Sequence, residues 1–421
     1  MNRLAQFLLY TQKVFDLPKL LAGVRDGRLW PEIPTRGVVL SLTLGVALRV
    51  GSYLDLSQQT KRRRWQRLCR LKAPLSNDTF EYVTERLKLA DLRQTQAPIV
   101  KKLKLNKALE SCKIKGLLFL SLDANEHFAS RSRTCACCCQ RQIERTDAQG
   151  NKYKEVEYYH RYVFGQINGP KINILLDVEP ILPGEDECAA AVRLLGRVRR
   201  IYGPRFFDGI TVDAWYAKGP FLRAVDKLGW LWVVVLKRED MQVYQEAKQL
   251  SQGQKPCACF EDKTRQRQVQ LWEVKDLDFS SEYGQTVRVV RSEERWTEKR
   301  VRAGRKQTQP RCSLWVWAVC PKLDGYDATV VYQAGHRRWG IENYAFNELT
   351  QGYHLEHCYH HEPNSMLAQM LILMLGFTLF TAFALHSQLV RLGEMTRKAL
   401  AKQLDLALEE DLPWDQWFHS G

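Results

Sequence analysis

The sequence has fewer acidic than basic residues, and it lacks the marks of secreted, repetitive or disordered chains. It contains 47 Asp and Glu against 63 Lys and Arg, which gives a net charge of +16 at pH 7. Its start, Met-Asn-Arg-Leu-Ala-Gln, lacks a signal peptide with a cleavage site. There is no internal repeat and no long disordered tract. These absences predict a cytoplasmic globular protein, and the excess of positive charge favours a polyanionic partner.

A disulfide framework is also absent. The 12 cysteines do not follow the spacing of a small secreted protein. They predict free thiols or metal ligands in a reducing compartment. Cys135 and Cys138 have the two-residue spacing that zinc sites use, and so do His354 and His357. A structural zinc ion is therefore a candidate cofactor, without an assigned ligand set.

Long apolar runs are absent except over residues 366–385, which contain no charge and a single Gln369. A run of this length could span a bilayer. The lack of a second such run favours a buried core helix, and Gly376, Thr378 and Thr381 would suit close helix packing. The competing hypothesis is a basic protein that this segment anchors to a membrane.

The hydrophobic periodicity divides the chain into five predicted regions. They are a basic helical domain (1–108), the first part of an α/β core (109–236), a β-rich insertion (237–326), the C-terminal helices of the core (327–390) and a helical tail (391–421).

The first region contains a cluster of basic residues between two helical patterns. The cluster is Lys61, Arg62, Arg63 and Arg64, and a predicted helix start follows it with Ser76 or Asn77 as the N-cap. A short helix, a basic turn and a capped second helix would suit a helix-turn-helix-like DNA-binding domain, so the four cations are candidate DNA-binding residues. The alternative is a solvated basic face of a helical bundle.

The core region alternates between strand and helix patterns. Strands are predicted at 117–123, 158–166, 171–178, 209–213 and 230–236, with helices at 184–202 and 220–228. Asn168-Gly169-Pro170 predicts a tight turn between the second and third strands. This order predicts an α/β, ribonuclease-H-like fold, with a mixed five-stranded sheet and flanking helices.

Three carboxylates occupy notable positions in this scheme. Asp123 ends the first strand pattern, Asp213 ends the fourth, and Glu342 lies in a helical pattern after the insertion. Because the first and fourth strands of such a sheet are neighbours, we expect the two aspartates to meet, with Glu342 beside them. Carboxylates are the ligands that Mg²⁺ and Mn²⁺ prefer, so the three acids predict a site for two such ions beside a phosphodiester.

These motifs resemble those of insertion-sequence DDE transposases with a β-strand insertion between the second Asp and the Glu. The resemblance covers about residues 116–385 and depends on Ser121-Leu-Asp123, Thr211-Val-Asp213 and Arg338-Trp-Gly-Ile-Glu342. Arg338 and Glu342 match the Arg-x3-Glu part of the family's Tyr-x2-Arg-x3-Glu-x6-Lys signature. The Tyr position falls on Gly335 and the Lys position on Leu349. Tyr332, Arg337 and His354 are the candidates to replace them.

The resemblance implies a cut-and-paste transposase in which Asp123, Asp213 and Glu342 are the catalytic residues and the metal ligands. The implied cofactors are two Mg²⁺ or Mn²⁺ ions. The implied partners are double-stranded DNA, as terminal inverted repeats and target, and a second copy of the chain in a synaptic complex, with no membrane. The implied location is the cytoplasm, on the nucleoid when DNA is bound. The alternative is a domesticated protein that keeps the fold and binds DNA without catalysis.

Three further side chains are candidates for contact with DNA. Arg338 precedes Glu342 by four residues, so it would act as a phosphate clamp beside the metal site or as an ion-pair partner on the same helix face. Arg337 is a further candidate DNA contact. Trp296 is the least core-like tryptophan of the insertion, and it is the candidate to stack on an extruded base.

Overall fold

The computed structural model describes residues 2–302 and 305–408. The helices are α1 (Arg3–Phe15), α2 (Leu17–Ala22), α3 (Thr35–Ala47), α4 (Tyr53–Thr60), α5 (Arg63–Cys69), α6 (Asn77–Thr84), α7 (Leu89–Leu105), α8 (Glu187–Tyr202), α9 (Gly219–Lys227), α10 (Gln242–Ser251), α11 (Ala328–Arg337), α12 (Asn347–Tyr353), α13 (Pro363–His386), α14 (Gln388–Arg391) and α15 (Arg397–Leu406). The strands are β1 (Phe119–Ser130), β2 (Cys139–Thr146), β3 (Lys152–Asn168), β4 (Asn173–Ile181), β5 (Gly209–Val212), β6 (Leu231–Val235), β7 (Ala258–Asp262), β8 (Arg267–Asp278), β9 (Thr286–Arg302) and β10 (Arg305–Val319).

The chain forms two compact units, whose boundaries differ from those of the predicted domains. The first unit comprises the described residues of Met1–Cys112, Ala124–Tyr202 and Glu342–Gly421, and the second comprises Lys113–Asp123 and Gly203–Ile341. The N-terminal helices therefore pack in one unit with α12 and α13. Residues 409–421 of the predicted tail lie outside the described part of the chain.

Helix α13 forms the core of the first unit. By length and composition it could cross a membrane, but its whole apolar window is buried inside the unit. Gly376 allows α3 to approach closely, because a Cβ there would lie 2.6 Å from Cγ1 of Val46. Thr378 accepts a hydrogen bond from Nε2 of Gln96 on α7 at 2.9 Å. This is the packing that the core-helix interpretation predicts.

The sheet of the second unit begins with parallel strands. β1 pairs with β5 in the register Ser121↔Thr211, and β5 pairs with β6 in the register Thr211↔Val233. Most residues of β5 and β6 are buried and apolar, as expected for parallel strands covered on both faces.

The predicted insertion extends this sheet. β10 pairs antiparallel with β6, and β9, β8 and β7 follow in that order. The apolar end of β10, Trp317–Val319, lies beside Val233–Val235, which explains the continuation. The insertion is β-rich as predicted, and its strands continue the sheet of the core.

The hairpin of β3 and β4 lies in the first unit, with its turn at Gly169 as predicted. A Cβ at Gly169 would lie 2.4 Å from Sγ of Cys112, so this turn requires glycine. β2, which the sequence pattern did not indicate, pairs with the outer half of β3 in the register Cys139↔Tyr159. Its residues are mostly exposed and polar, which removes the alternation that marks a half-buried strand.

Hydrogen bonding links β4 to β3, β3 to β1, β1 to β5 and β5 to β6. β1 itself begins in the second unit and ends in the first. The order β4-β3-β1-β5-β6 is that of the predicted ribonuclease-H-like sheet.

Candidate active site

Asp123 and Asp213 follow the paired segments of β1 and β5. The hydroxyl oxygens of Ser121 and Thr211 lie 2.8 Å apart across these strands, and each aspartate comes two residues later. β5 ends at Val212, as expected. β1 continues to Ser130, so Asp123 lies within a long strand and not at its end as predicted. The physical reason is that β1 has a second neighbour, the long strand β3, which continues after β5 has ended.

Each of these carboxylates accepts a hydrogen bond from a nitrogen donor. Oδ1 of Asp213 accepts one from the backbone N–H of Trp215 at 2.9 Å, which caps the 3₁₀ turn Ala214–Tyr216. Oδ2 of Asp123 accepts one from Nη1 of Arg338 at 3.1 Å. The Asp123 side chain is 16% exposed. Carboxylate oxygens are the ligands that a hard divalent cation such as Mg²⁺ prefers, and these two follow paired residues of adjacent parallel strands.

Arg338 is almost completely buried, with 2% of its side chain exposed. Its Cζ lies 4.9 Å from the ring centroid of Trp339. The sequence predicted an ion pair with Glu342 or a phosphate clamp. The contact that the second unit shows is with Asp123, so Arg338 places a positive charge directly at one of the predicted metal ligands.

Glu342 lies in a π-helical segment, Ile341–Phe346, that leads from α11 into α12. It is half-buried and is the first residue of its stretch of the first unit. Single π-helical turns within helices are often associated with functional sites. The meeting of Glu342 with Asp123 and Asp213 stays a prediction.

Packing explains the two departures from the family signature. A Cβ at Gly335 would lie 2.2 Å from Nε1 of Trp317, so the ring of Trp317 occupies the space that a tyrosine would need. Leu349 is fully buried, and a lysine there would lose its hydration.

The three proposed substitutes have other contacts. The hydroxyl of Tyr332 donates to Oδ2 of Asp262 at 2.9 Å and accepts from Nη1 of Arg265 at 3.1 Å. Arg337 donates weakly to a backbone carbonyl at 3.4 Å. His354 ends α12 with a left-handed backbone, φ 56°. A signature role for these residues stays a prediction.

A buried ionic network around Glu294 was not found from the sequence. Glu294 is fully buried and accepts hydrogen bonds from Arg265 at 3.0 Å, Arg267 at 2.5 Å and His336 at 2.6 Å. Burial acts to raise the pKa of Glu294, but the contacts with His336, Arg267 and Arg265 outweigh it and lower that pKa to about 2. The network links β8 and β9 to α11, the helix that precedes Arg338.

A basic cleft of about 640 Å³ lies next to this network in the second unit. Its lining includes Arg265, Arg267, Arg295, Trp296 and Arg311. Trp296 is half-buried, and the Cζ of Arg267 lies 4.0 Å from its ring centroid. Guanidinium groups beside an aromatic ring are typical of sites that bind single-stranded nucleic acid.

The predicted N-terminal cations lie where α4 and α5 join. Lys61, Arg62 and Arg63 are exposed, and Arg64 is half-buried with its Nη1 2.9 Å from the carbonyl of Leu408. Ser76 caps α6, as predicted, by accepting a hydrogen bond from the N–H of Thr79 at 3.2 Å.

The strand order, with one aspartate on β1 and another just after β5, is that of a ribonuclease-H-like fold. Residues 175–379 match the family model described as "Transposase DDE domain". The chain therefore contains a transposase DDE domain, and the resemblance inferred from its motifs is confirmed. The match includes Asp213, Trp296, Arg338 and Glu342, whereas Asp123 and the N-terminal cations lie outside it.

Comparison with solved structures finds the cryo-EM structure of a piggyBac transposase synaptic complex with hairpin DNA. The identity is 14%, the alignment covers 97% of this chain and 80% of that chain, and the TM-score is 0.42. No curated protein matches. Transposase DDE domains are a family of DNA-cleaving and DNA-transferring domains that generally use divalent metal ions.

Proposed function

We propose that the protein is a cut-and-paste transposase that cleaves DNA at the terminal inverted repeats of its element and joins the freed ends to target DNA. The supporting observation is the position of Asp123 on β1 and of Asp213 just after the neighbouring parallel strand β5, in a chain with a transposase DDE domain. Glu342 is the third acid of the proposal because of the Arg-x3-Glu signature that it shares with Arg338.

In this proposal Asp123, Asp213 and Glu342 hold Mg²⁺ or Mn²⁺ through carboxylate oxygens. Two such ions, when bound, activate the attacking oxygen and stabilise the leaving oxygen of a phosphodiester. Arg338 is buried beside Asp123. In this proposal its positive charge offsets the repulsion between the carboxylates of Asp123, Asp213 and Glu342. A guanidinium also matches the geometry of phosphate oxygens, so Arg338 can orient the scissile phosphate.

DNA binding in this proposal uses two positively charged surfaces. The first is the exposed group Lys61, Arg62 and Arg63, and the second is the cleft around Trp296. The net charge of +16 favours association with the phosphate backbone. Joining two ends in one reaction implies a homodimer, which in the cell we expect on nucleoid DNA.

The proposal is tested by strand cleavage. The substrate is a supercoiled plasmid that carries the genomic sequences flanking the coding region, incubated with the purified chain and Mg²⁺ or Mn²⁺. We expect cleavage by the wild type and its loss to background in Asp123→Asn, Asp213→Asn and Glu342→Gln. Asp240→Asn is the matched control, because Asp240 is 65% exposed and pairs only with a neighbouring arginine in the described contacts.

Equal cleavage by the wild type and Asp123→Asn would overturn the catalytic assignment. Specific binding of the flanking DNA by the wild type, without cleavage under either metal, would favour the domesticated DNA-binding protein instead.

A further inference from the structure

Four metal-binding side chains from separate parts of the chain meet in the first unit. Cys135 and Cys138 lie in the turn before β2, His160 lies in β3, and His361 lies in the connection between α12 and α13. Their sulfur and imidazole nitrogen atoms all lie within 4.8 Å of one another. This group is distinct from the three acids proposed for catalysis.

Five of the six distances between these atoms match the edges of a tetrahedron around one ion, and the sixth, between Sγ of Cys135 and His361, is within 4.8 Å. With Zn–S of about 2.3 Å and Zn–N of about 2.0 Å, a tetrahedral site has S···S, S···N and N···N edges of about 3.8, 3.5 and 3.3 Å. The two Sγ atoms are 3.6 Å apart, and the two Nε2 atoms are 3.2 Å apart. Sγ of Cys138 lies 3.2 Å from Nε2 of His160 and 3.4 Å from Nε2 of His361, and Sγ of Cys135 lies 3.5 Å from Nε2 of His160.

The backbone around the two cysteines holds both sulfurs in place. The N–H of Cys138 donates to the carbonyl of Cys135 at 3.1 Å, and the N–H of Cys135 donates to Sγ of Cys138 at 3.3 Å. The pairing of Cys139 with Tyr159 places Cys138 opposite His160 on the next strand. Cys138 and His160 are both buried, with 3% and 4% of their surface exposed.

Contacts of the residues before and after His361 hold it in position. Nε2 of the preceding His360 lies 2.9 Å from a carboxylate oxygen of Glu85. The following residue, Glu362, caps α13 by accepting a hydrogen bond from the N–H of Ser365 at 2.7 Å. His361 is therefore set by the start of the core helix, and its side chain reaches the β2–β3 region.

We propose that Cys135, Cys138, His160 and His361 bind a structural zinc ion. Two thiolates and two imidazoles in tetrahedral geometry are a typical zinc ligand set. The sulfurs are too far apart for a disulfide, whose S–S bond is about 2.0 Å. The ion would fasten the turn before β2 and strand β3 to the connection between α12 and α13. His354 and His357, which share the sequence spacing, are not members of the group.

The test is the zinc content of the purified full chain by mass spectrometry, after expression with added zinc. We expect one zinc ion per chain in the wild type and its loss in Cys138→Ser and His361→Ala. Cys139→Ser and His357→Ala are the matched controls, because each lies near a ligand in the sequence and outside the group. Both controls should keep the ion. The inference does not depend on transposase activity, since the measurement requires no DNA.

Cobalt gives a second measurement in case the ligand variants do not fold. The wild-type chain loaded with Co²⁺ should show the strong visible absorption of tetrahedral cobalt and a sulfur-to-cobalt charge-transfer band, and zinc should displace both. A folded wild type that contains no zinc and gives no tetrahedral cobalt spectrum would overturn the proposal. So would a Cys138→Ser chain that retains a full equivalent of zinc.

Discussion

Arg338 and Asp123 form a nearly buried ion pair at the position where the sequence predicted a catalytic carboxylate. Removing two charges from water costs several kcal/mol per ion, so a pair of this kind adds little to net stability. Asp123 comes two residues after the Ser121–Thr211 contact, as Asp213 does along the neighbouring strand, so the ion pair is better explained by the chemistry proposed for the site.

The Glu294 network allows a test of stability at a single residue. We expect Glu294→Gln to lower the free energy of unfolding by about 3 kcal/mol or more, because two arginines and His336 lose a buried counter-charge. Chemical denaturation of the full chain measures this change.

Glu293→Gln is the control for that experiment. Glu293 pairs with Arg295, whose side chain is 70% exposed, so its loss should change stability by at most about 1 kcal/mol. Equal effects of the two substitutions would contradict the structural role assigned to Glu294.

The sequence contained a signal for Glu294 that composition alone does not reveal. Glu294 shares the alternation of Val290 and Ser292, which are fully buried on β9, so an acid at that position predicts a buried partner. The partners themselves could not be predicted, because they come from the β7–β8 turn, β8 and α11. Gly335 is a similar case, since only the position of Trp317 shows why the signature tyrosine is missing.

Among the elements, α13 is the one whose packing can be tested most simply. Gly376→Ala places a methyl group 2.6 Å from Val46, and we expect a loss of about 1 kcal/mol or more in unfolding free energy. Gly196→Ala in α8 is the matched control, because nothing lies within 4 Å of the added carbon. There the higher helix propensity of alanine should stabilise the protein by about 0.5–1 kcal/mol. Thermal unfolding measures both changes in stability. If the two substitutions changed stability in the same direction, the close packing of α3 and α13 would be contradicted.

The elements predicted best are those whose burial pattern is local. The β3–β4 hairpin, β5, β6 and α13 follow from turn chemistry and apolar runs. The continuation of β1 beyond Asp123 and the presence of β2 depend on pairing with β3. Residues 124–130 are mostly half-buried and β2 is mostly exposed, so neither segment shows an alternating pattern. The extension of the sheet by β10 depends on contacts with β6 that no local pattern specifies.

For the whole molecule, the positive charge predicts salt-dependent DNA binding. Arg62→Gln combined with Arg63→Gln should reduce the slope of log affinity against log salt concentration by about two, if both contact phosphates. Arg199→Gln with Arg200→Gln on α8 removes the same charge from another exposed surface and should change the slope less. Equal slopes for the two double variants would contradict a specific role of the α4–α5 junction.

The division into two units could not be predicted from the sequence pattern, because each unit joins distant stretches of the chain. Composition predicts that residues 1–108 are helical, but it does not predict that they pack with α12 and α13 around one core. The resemblance to transposases was predictable because Asp123, Asp213 and Glu342 lie in short motifs at recognisable positions.

The central claim is that Asp123 and Asp213, with Glu342, are the metal ligands of a DNA-cleaving site. The most direct measurement is a crystal structure of the chain grown with Mn²⁺, in which anomalous scattering locates the metal. We predict a manganese peak about 2 Å from carboxylate oxygens of Asp123 and Asp213, with Glu342 as the third acid. Manganese bound elsewhere, with Asp123 still paired to Arg338 and Asp213 still capping its turn, would contradict the account.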